Sequence, residues 1–195
     1  MQPIIKEKVR ILRPGEYEQL RASLKENPDR QVLLDGLLIT GMRYVEAQAL
    51  QGHPELVDGR FIKTDSKKVQ TKFKERWIRL SDYGTLIIDR FIKNDAKLPT
   101  RQSFDETLKR WAKNADLEEG GICCKTFRKT WESWLVFYYP THQLEIAQSQ
   151  GHTAMTQMQH YLNLPFTTED KIKMSKWLDG MYDDRAVIEV KEGMR

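Results

Sequence analysis

The stretch CKTFRKTWESWLVFYY, residues 124–139, has the pattern of a helix that packs against the core of a folded domain. Phe127, Trp131 and Trp134 recur at intervals of three and four residues, so a helix places their rings on one face. Rings of this size contribute most to stability when they are buried. The stretch therefore predicts a helix whose aromatic face lies in the interior.

A second face of the same helix carries charge. Lys125, Arg128 and Glu132 follow one another at helical spacing, so two cations lie one turn apart with a carboxylate behind the arginine. In most proteins such a face is a solvated surface with an ion pair worth about 0.3 kcal/mol. It also suits a phosphate clamp, in which an acid behind the cations fixes the direction of their N–H groups.

A similar pairing occurs in TGMRYVEAQAL, residues 40–50, which follows an apolar helical segment and predicts a second helix. Arg43, Glu46, Ala47 and Leu50 share one face of that helix. An arginine on a partly apolar face requires a partner, and Glu46 can supply it. Taken alone, the segment is typical of an ordinary half-buried ion pair.

The segment GHTAMTQMQHYLN, residues 151–163, predicts a short helix that begins after a histidine. Thr153 suits an N-cap, which leaves His152 just outside the helix. Tyr161 lies roughly a quarter turn from the apolar stripe, at the flank of the buried face; the stripe consists of Met155, Met158 and Leu162. Such a tyrosine either packs or, with the histidine beside it, performs chemistry.

Residues 55–80 change from the helical to the strand period. ELVDGRFIKT holds an Asp58-Gly59 turn between apolar residues, and KERWIRLS alternates as a half-buried strand does. Between Arg60 and Arg79 there are eight lysines and arginines and only two acids. The segment predicts a small antiparallel sheet with a basic loop, which either is simply solvated or attracts phosphate.

The remaining composition bounds the class of protein. The 195 residues suffice for one domain with a sizeable core, and no apolar run is long enough to cross a membrane or to serve as a signal peptide. The two cysteines, Cys123 and Cys124, are adjacent and build no disulfide framework, and the four histidines have no metal-ligand spacing. These features predict a cytoplasmic protein without a metal or cofactor.

The fold class predicted is mainly α with one small antiparallel three-stranded β-sheet. The other segments with a helical pattern are EYEQLRASLKEN, RQVLLDGLLIT, YGTLIIDRFIKN, SFDETLKRWAKNA, HQLEIAQSQ and TTEDKIKMSKWLDGM.

Together these segments resemble the catalytic domain of the tyrosine recombinases, the phage-integrase superfamily. TGMRYVEA resembles the first-arginine segment of that family, KTFRKT its second-arginine segment and GHTAMTQMQHYLN its GH…Y segment. The resemblance covers roughly residues 30–165 and lies in the order and spacing of motifs that are individually weak. It implies the tyrosine recombinase catalytic-domain fold.

The resemblance also implies a site-specific recombinase or integrase that cleaves and rejoins DNA without metal or ATP. Tyr161 would attack a phosphodiester to give a 3′-phosphotyrosyl intermediate and a free 5′-hydroxyl. Arg43 and Arg128 would hold the non-bridging oxygens, because a guanidinium fork matches two phosphate oxygens. His152 would donate a hydrogen bond to the phosphate.

The hairpin offers two candidates for one family position, and at another position the sequence departs from the family pattern. A hairpin lysine would protonate the leaving oxygen, and Lys72 matches that position best, with Lys74 next. Lys125 stands where most relatives have histidine; it can bind the phosphate but is a poor base for Tyr161. This KxxR variant is similar to integrases of archaeal viruses and proviruses, which suggests such a source.

The resemblance further implies partners and a domain plan. We expect one catalytic domain over 1–195, with a recombinase-like core, a helical tail over 166–195 and no N-terminal core-binding domain. Double-stranded DNA and other protomers in a synaptic complex are the expected partners, in a host cell of a virus or mobile element and not at a membrane. The tail stripe of Met174, Trp177, Leu178 and Met181 would pack either on its own core or, by tail exchange, on a neighbouring protomer.

Two other functions fit the same residues. A type IB topoisomerase shares the chemistry, although the compact GHT…Y segment favours a recombinase. A DNA-binding module with a decayed active site is the alternative of another class, and the lysine at position 125 is the only feature that points to it.

Overall fold

A computed structural model of the chain describes residues 2–65, 75–151 and 164–182. The basic loop of the predicted hairpin and the helix predicted after Thr153 fall in the two internal gaps and lie outside the described residues.

Within the described residues the fold is mainly helical, with two small antiparallel sheets. The strands are β1 (Ile4–Lys6), β2 (Val9–Ile11), β3 (Val57–Asp58), β4 (Phe61–Asp65) and β5 (Glu75–Arg79). A short 3-10 helix, Pro54–Leu56, precedes β3. The helices are α1 (Pro14–Ala22), α2 (Pro28–Thr40), α3 (Tyr44–Leu50), α4 (Asp82–Lys93), α5 (Arg101–Asn114), α6 (Lys125–Tyr138), α7 (Gln143–Gln150) and α8 (Thr168–Leu178). Each helix that the sequence predicts in these ranges is present.

Helix α6 lies at the centre of the molecule. Its aromatic face is buried as predicted, and Trp131 and Trp134 are entirely inaccessible to solvent. Helices α2, α7 and α8 and strand β2 pack around it. Strand β2 leads into Leu12, whose N–H donates to the Thr130 hydroxyl at 2.9 Å and whose carbonyl accepts from the Trp134 indole at 2.9 Å. The N-terminal segment is thereby fixed to the central helix.

The sheets correct one detail of the predicted fold class. The three-stranded sheet β3-β4-β5 is antiparallel throughout and lies where the sequence places it. A second sheet, β1-β2, is additional, so the prediction of a single three-stranded sheet is wrong. The turn of the extra hairpin consists of Glu7 and Lys8, both with positive φ (49° and 63°). Neither residue is one that such turns favour, so the sequence gives no turn signal.

Helix α8 is held against the chain's own core. Met174, Trp177 and Leu178 are fully buried, and Met181 is 2% exposed. Arg13 donates to Asp170 at 2.6 Å, and the Ser81 hydroxyl donates to the Trp177 carbonyl at 3.0 Å. In this structure of one protomer the stripe packs on the chain's own core.

Across the described residues, no helix is both long enough and apolar enough to cross a membrane.

Candidate active site

The sequence pattern predicts Arg43 within a helix, but the residue lies just before the first turn of α3. It is the N-cap residue, with extended backbone dihedrals (φ −64°, ψ 144°). The Glu46 side chain bonds it twice: Oε2 accepts from the Arg43 backbone N–H at 2.8 Å, and Oε1 accepts from Nη1 at 2.7 Å. The predicted Arg43–Glu46 pair is therefore confirmed, and the arginine side chain stays 39% exposed.

Arg128 lies in the first turn of α6 and is fixed by main-chain carbonyls. Its Nη1 donates to the Gly41 carbonyl at 2.7 Å, and its Nη2 donates to the Gln150 carbonyl. Burial lowers the pKa of Arg128 to about 10, and the charge of Arg76 contributes to this shift. Because that pKa is far above neutrality, the guanidinium remains charged.

Gly41 makes the carbonyl contact with Arg128 possible. It ends α2 in the left-handed conformation, with φ at +54°. A Cβ atom there would come within 2.8 Å of both the Gln150 and the Trp131 side chains. Glycine is therefore required for both the turn and the packing.

Arg76 is a third arginine of the site, one that the sequence reasoning missed. It lies on β5 with its side chain 6% exposed. Its Nη1 donates to the Ser149 carbonyl at 2.7 Å, and its Nη2 donates to Glu46 Oε2. Burial lowers the pKa of Arg76, and the charge of Glu46 offsets part of that effect. The alternating pattern of the strand could have indicated this, because it places Arg76 on the same face as Ile78, which is buried.

The three arginines meet where α7 ends. Gly151 closes the helix with φ at +67°, and the next residue in the chain is His152. A Cβ atom on Gly151 would lie 3.2 Å from Arg76 Cδ and 3.9 Å from Arg43 Nη2. The structure thus brings Arg43 and Arg128 to the start of the GH…Y segment, as the motif order predicts.

The cluster carries more positive than negative charge. Glu46, 8% exposed, and the fully buried Glu132 face three guanidinium groups. Burial raises the pKa of Glu46, but the charge of Arg76 and the hydrogen bonds from Arg43 outweigh burial and lower it overall. Two carboxylates against three cations leave a surplus that favours an anion with several oxygens, such as a phosphate group.

The other predicted site residues divide into two groups. Lys125 is the first residue of α6, exposed, and one helical turn from Arg128. Lys72, His152 and Tyr161 lie outside the described residues, as does Lys74. In the part of the chain that the structure covers, no three side chains of His, Cys, Asp or Glu come together as metal ligands.

No protein-family model matches the sequence, and comparison with curated proteins gives no match. Comparison with solved structures does give matches. XerA recombinase is similar with a TM-score of 0.62 at 15% identity, over 93% of this chain and 68% of that chain. A lambda integrase fragment, solved as a dimer bound to a COC′ core site, is similar with a TM-score of 0.63 at 11% identity, over 84% of this chain and 63% of that chain.

The Tn1549 transposon integrase, solved in complex with circular intermediate DNA, is also similar. Its TM-score is 0.63 at 17% identity, over 88% of this chain and 68% of that chain. The chain thus spans about two thirds of the length of these structures. Because the similarity extends over most of this chain, the chain has the fold of the tyrosine recombinase catalytic domain, as the sequence resemblance implied.

Proposed function

We propose that the protein is a site-specific DNA recombinase or integrase that cleaves and rejoins DNA through a 3′-phosphotyrosyl intermediate. The observation that carries this proposal is the convergence of Arg43 and Arg128 on the residues that precede His152. Their surplus charge fits a phosphodiester. The similar solved structures are those of recombinases and integrases, and several of them contain DNA.

In the first step Tyr161 attacks the scissile phosphorus. Its phenolic oxygen forms a bond to phosphorus while the bond from phosphorus to the 5′-oxygen breaks, and the phenolic proton passes to water. Arg43 and Arg128 bind the non-bridging oxygens, whose charge rises in the transition state. Both arginines are held by carbonyl or carboxylate groups before substrate arrives, so little reorganisation is needed.

The other proposed roles belong to residues around these arginines. Lys72, or else Lys74, donates a proton to the departing 5′-oxygen. His152 donates a hydrogen bond to the phosphate. Lys125, exposed one turn before Arg128, adds a cation to the phosphate site without acting as a base. A 5′-hydroxyl from another strand then attacks the phosphotyrosyl bond, so the phosphodiester is restored without an external energy source.

The proposal includes the chain's partners and its relation to mobile DNA. Double-stranded DNA is the substrate, and strand exchange requires further protomers in a synaptic complex. The likeness of the KxxR segment to integrases of archaeal viruses and proviruses stays a prediction. So does the division of the chain into a catalytic core and a helical tail.

Covalent trapping tests the reaction. The chain is incubated in EDTA with nicked duplex DNA from a randomised pool, and adducts are sought after denaturation. We expect an adduct with the wild-type chain that is absent with Tyr161→Phe and present with Tyr138→Phe, a half-exposed tyrosine outside the site. An adduct that survives Tyr161→Phe would exclude the proposed nucleophile. Relaxation of supercoiled DNA without strand exchange would favour a topoisomerase instead.

A further inference from the structure

We propose that Arg76 is a positioning residue of this site. It holds the Glu46 carboxylate and the Ser149 carbonyl, and it thereby fixes both Arg43 and the segment that leads to His152. The catalytic role of Arg76 rests on the proposed function, whereas its hydrogen bonds to Glu46 and Ser149 are contacts between described residues.

The first part of the argument concerns Glu46. One of its oxygens, Oε1, accepts from Arg43 Nη1, and the other, Oε2, accepts from both the Arg43 backbone N–H and Arg76. Arg76 therefore restrains Oε2, the oxygen that does not bond the Arg43 guanidinium. Without Arg76, only the Arg43 backbone N–H holds Oε2, and we expect this oxygen to shift towards the Arg43 guanidinium and form a two-point ion pair with it. Arg43 would then have fewer N–H groups directed at a phosphate.

The second part concerns the end of α7. The Ser149 carbonyl is one of the last in α7, and such carbonyls have no N–H donor within their own helix. Arg76 Nη1 satisfies it at 2.7 Å, and the Arg76 Cδ atom lies against Gly151. The position of the chain immediately before His152 is thus set by a strand residue.

The third part concerns the hairpin. Arg76 follows the candidate general acids Lys72 and Lys74 by four and two residues. Its contacts join β5 to the start of α3 and to the end of α7. A strand anchored in this way has a fixed register. One side chain therefore couples strand β5 to the phosphate-binding arginine and to the end of α7.

Arg76 does not act on the substrate directly. Its side chain is only 6% exposed, compared with 39% for Arg43. Its effect on the reaction must therefore pass through Glu46, Arg43 and the end of α7.

The test compares Arg76→Met with Arg13→Met. Arg13 is a matched control, because it also forms a buried ion pair, with Asp170, away from the site. The first measurement needs no activity: the arginine side-chain NMR signal of Arg43 is recorded in each variant. We expect that signal to shift and broaden in Arg76→Met and to stay unchanged in Arg13→Met.

The second measurement uses a DNA site recovered by trapping, made with either a phosphodiester or a methylphosphonate at the scissile position. Arg76→Met should slow adduct formation on the phosphodiester roughly 100-fold, as expected for a displaced catalytic group. The loss should be much smaller on the methylphosphonate, which lacks the charge that Arg43 binds. A merely structural defect slows both substrates equally.

Two further variants keep the test decisive. Arg76→Lys reaches only one of the two acceptors and should give intermediate rates. If Arg76→Met does not fold, Arg76→Gln, which keeps an N–H donor at this position and leaves Glu46 in place, serves instead. An unchanged Arg43 signal, or equal loss on both DNA substrates, would overturn the inference. A wild-type chain without adducts would refute the proposed function, while the Arg43 signal would still decide the role of Arg76.

Discussion

Arginines with buried or partly exposed side chains form ion pairs in two settings among the described residues. Away from the site, charges are matched one to one: Arg13 pairs with Asp170 at 2.6 Å and Arg21 with Asp35 at 2.8 Å. At the site, Arg43, Arg76 and Arg128 surround fewer carboxylates, and main-chain carbonyls complete their hydrogen bonds. The matched pairs fasten helices to one another. The unmatched cluster remains short of negative charge until an anion binds.

This difference has an energetic meaning. Removing one partner of a matched buried pair lowers the stability of the fold, because the other charge is left buried without compensation. A surplus buried cation lowers the stability of the ligand-free protein, and binding of an anionic ligand restores that stability. Substitutions in the two settings should therefore affect different properties, and the following four experiments test this distinction.

The largest effect is expected for Arg128→Lys. A lysine cannot reach both the Gly41 and the Gln150 carbonyl, and it cannot bind two phosphate oxygens as a fork does. We expect the rate of adduct formation to fall by about 1000-fold or more. Single-turnover trapping at saturating DNA measures this rate. A loss below tenfold would argue against Arg128 as a phosphate-binding residue.

Arg13→Met should have the opposite profile. The variant leaves Asp170 buried without its cation, so the free energy of unfolding should fall by about 3 kcal/mol. The rate of adduct formation per folded molecule should not change. Urea denaturation measures the first quantity, and trapping at a temperature where the variant is folded measures the second. Lost activity in folded Arg13→Met would remove the distinction between the two settings.

A smaller effect is expected from pH. The pKa of Glu46 is lower in the folded protein than its ordinary value, so its contribution to stability is complete above that ordinary value. This contribution is lost as the pH falls towards the lowered folded-state pKa. Glu46→Gln should therefore lose less stability between neutral and acidic pH than the wild type in urea titrations. Glu26→Gln, at an exposed position, serves as the control and should follow the wild type.

The smallest effect is expected from free phosphate. Inorganic phosphate should raise the melting temperature of the wild-type protein relative to chloride at equal ionic strength. A gain of about 1 kcal/mol corresponds to roughly 2–4 °C for a chain of this size. Arg128→Lys should lose this gain and Arg13→Met should keep it. Equal gains in all three proteins would mean that phosphate acts elsewhere.

The helical part of the fold could be predicted because its signals are local. Ser81 caps α4, next to the segment with the predicted helical pattern, and the apolar stripes of α6 and α8 are buried. The hairpin β1-β2 could not, because its turn at Glu7 and Lys8 is imposed by tertiary contacts and not by a turn residue. The Arg10 backbone N–H, for example, donates to the Gly121 carbonyl far along the chain.

The site was predicted in part for the same reason. The Arg43–Glu46 pair is local in sequence and could be inferred from spacing. Arg76 reaches Glu46 and Ser149 across long sequence separations, so its role depends on how β5 packs. Arg76 also lies in a block of basic residues, and such a block usually indicates a solvated surface, so its burial could not be predicted.

The main-chain contacts of Arg76 and Arg128 have a consequence for how such proteins diverge. Ser149 and Gln150 serve the arginines through their carbonyl oxygens, which every amino acid possesses. Substitution at these positions therefore leaves the acceptors in place, provided that Gly41 and Gly151 keep their left-handed turns. A scaffold of this kind preserves its geometry while its sequence drifts, which is consistent with a shared fold at 11–17% identity.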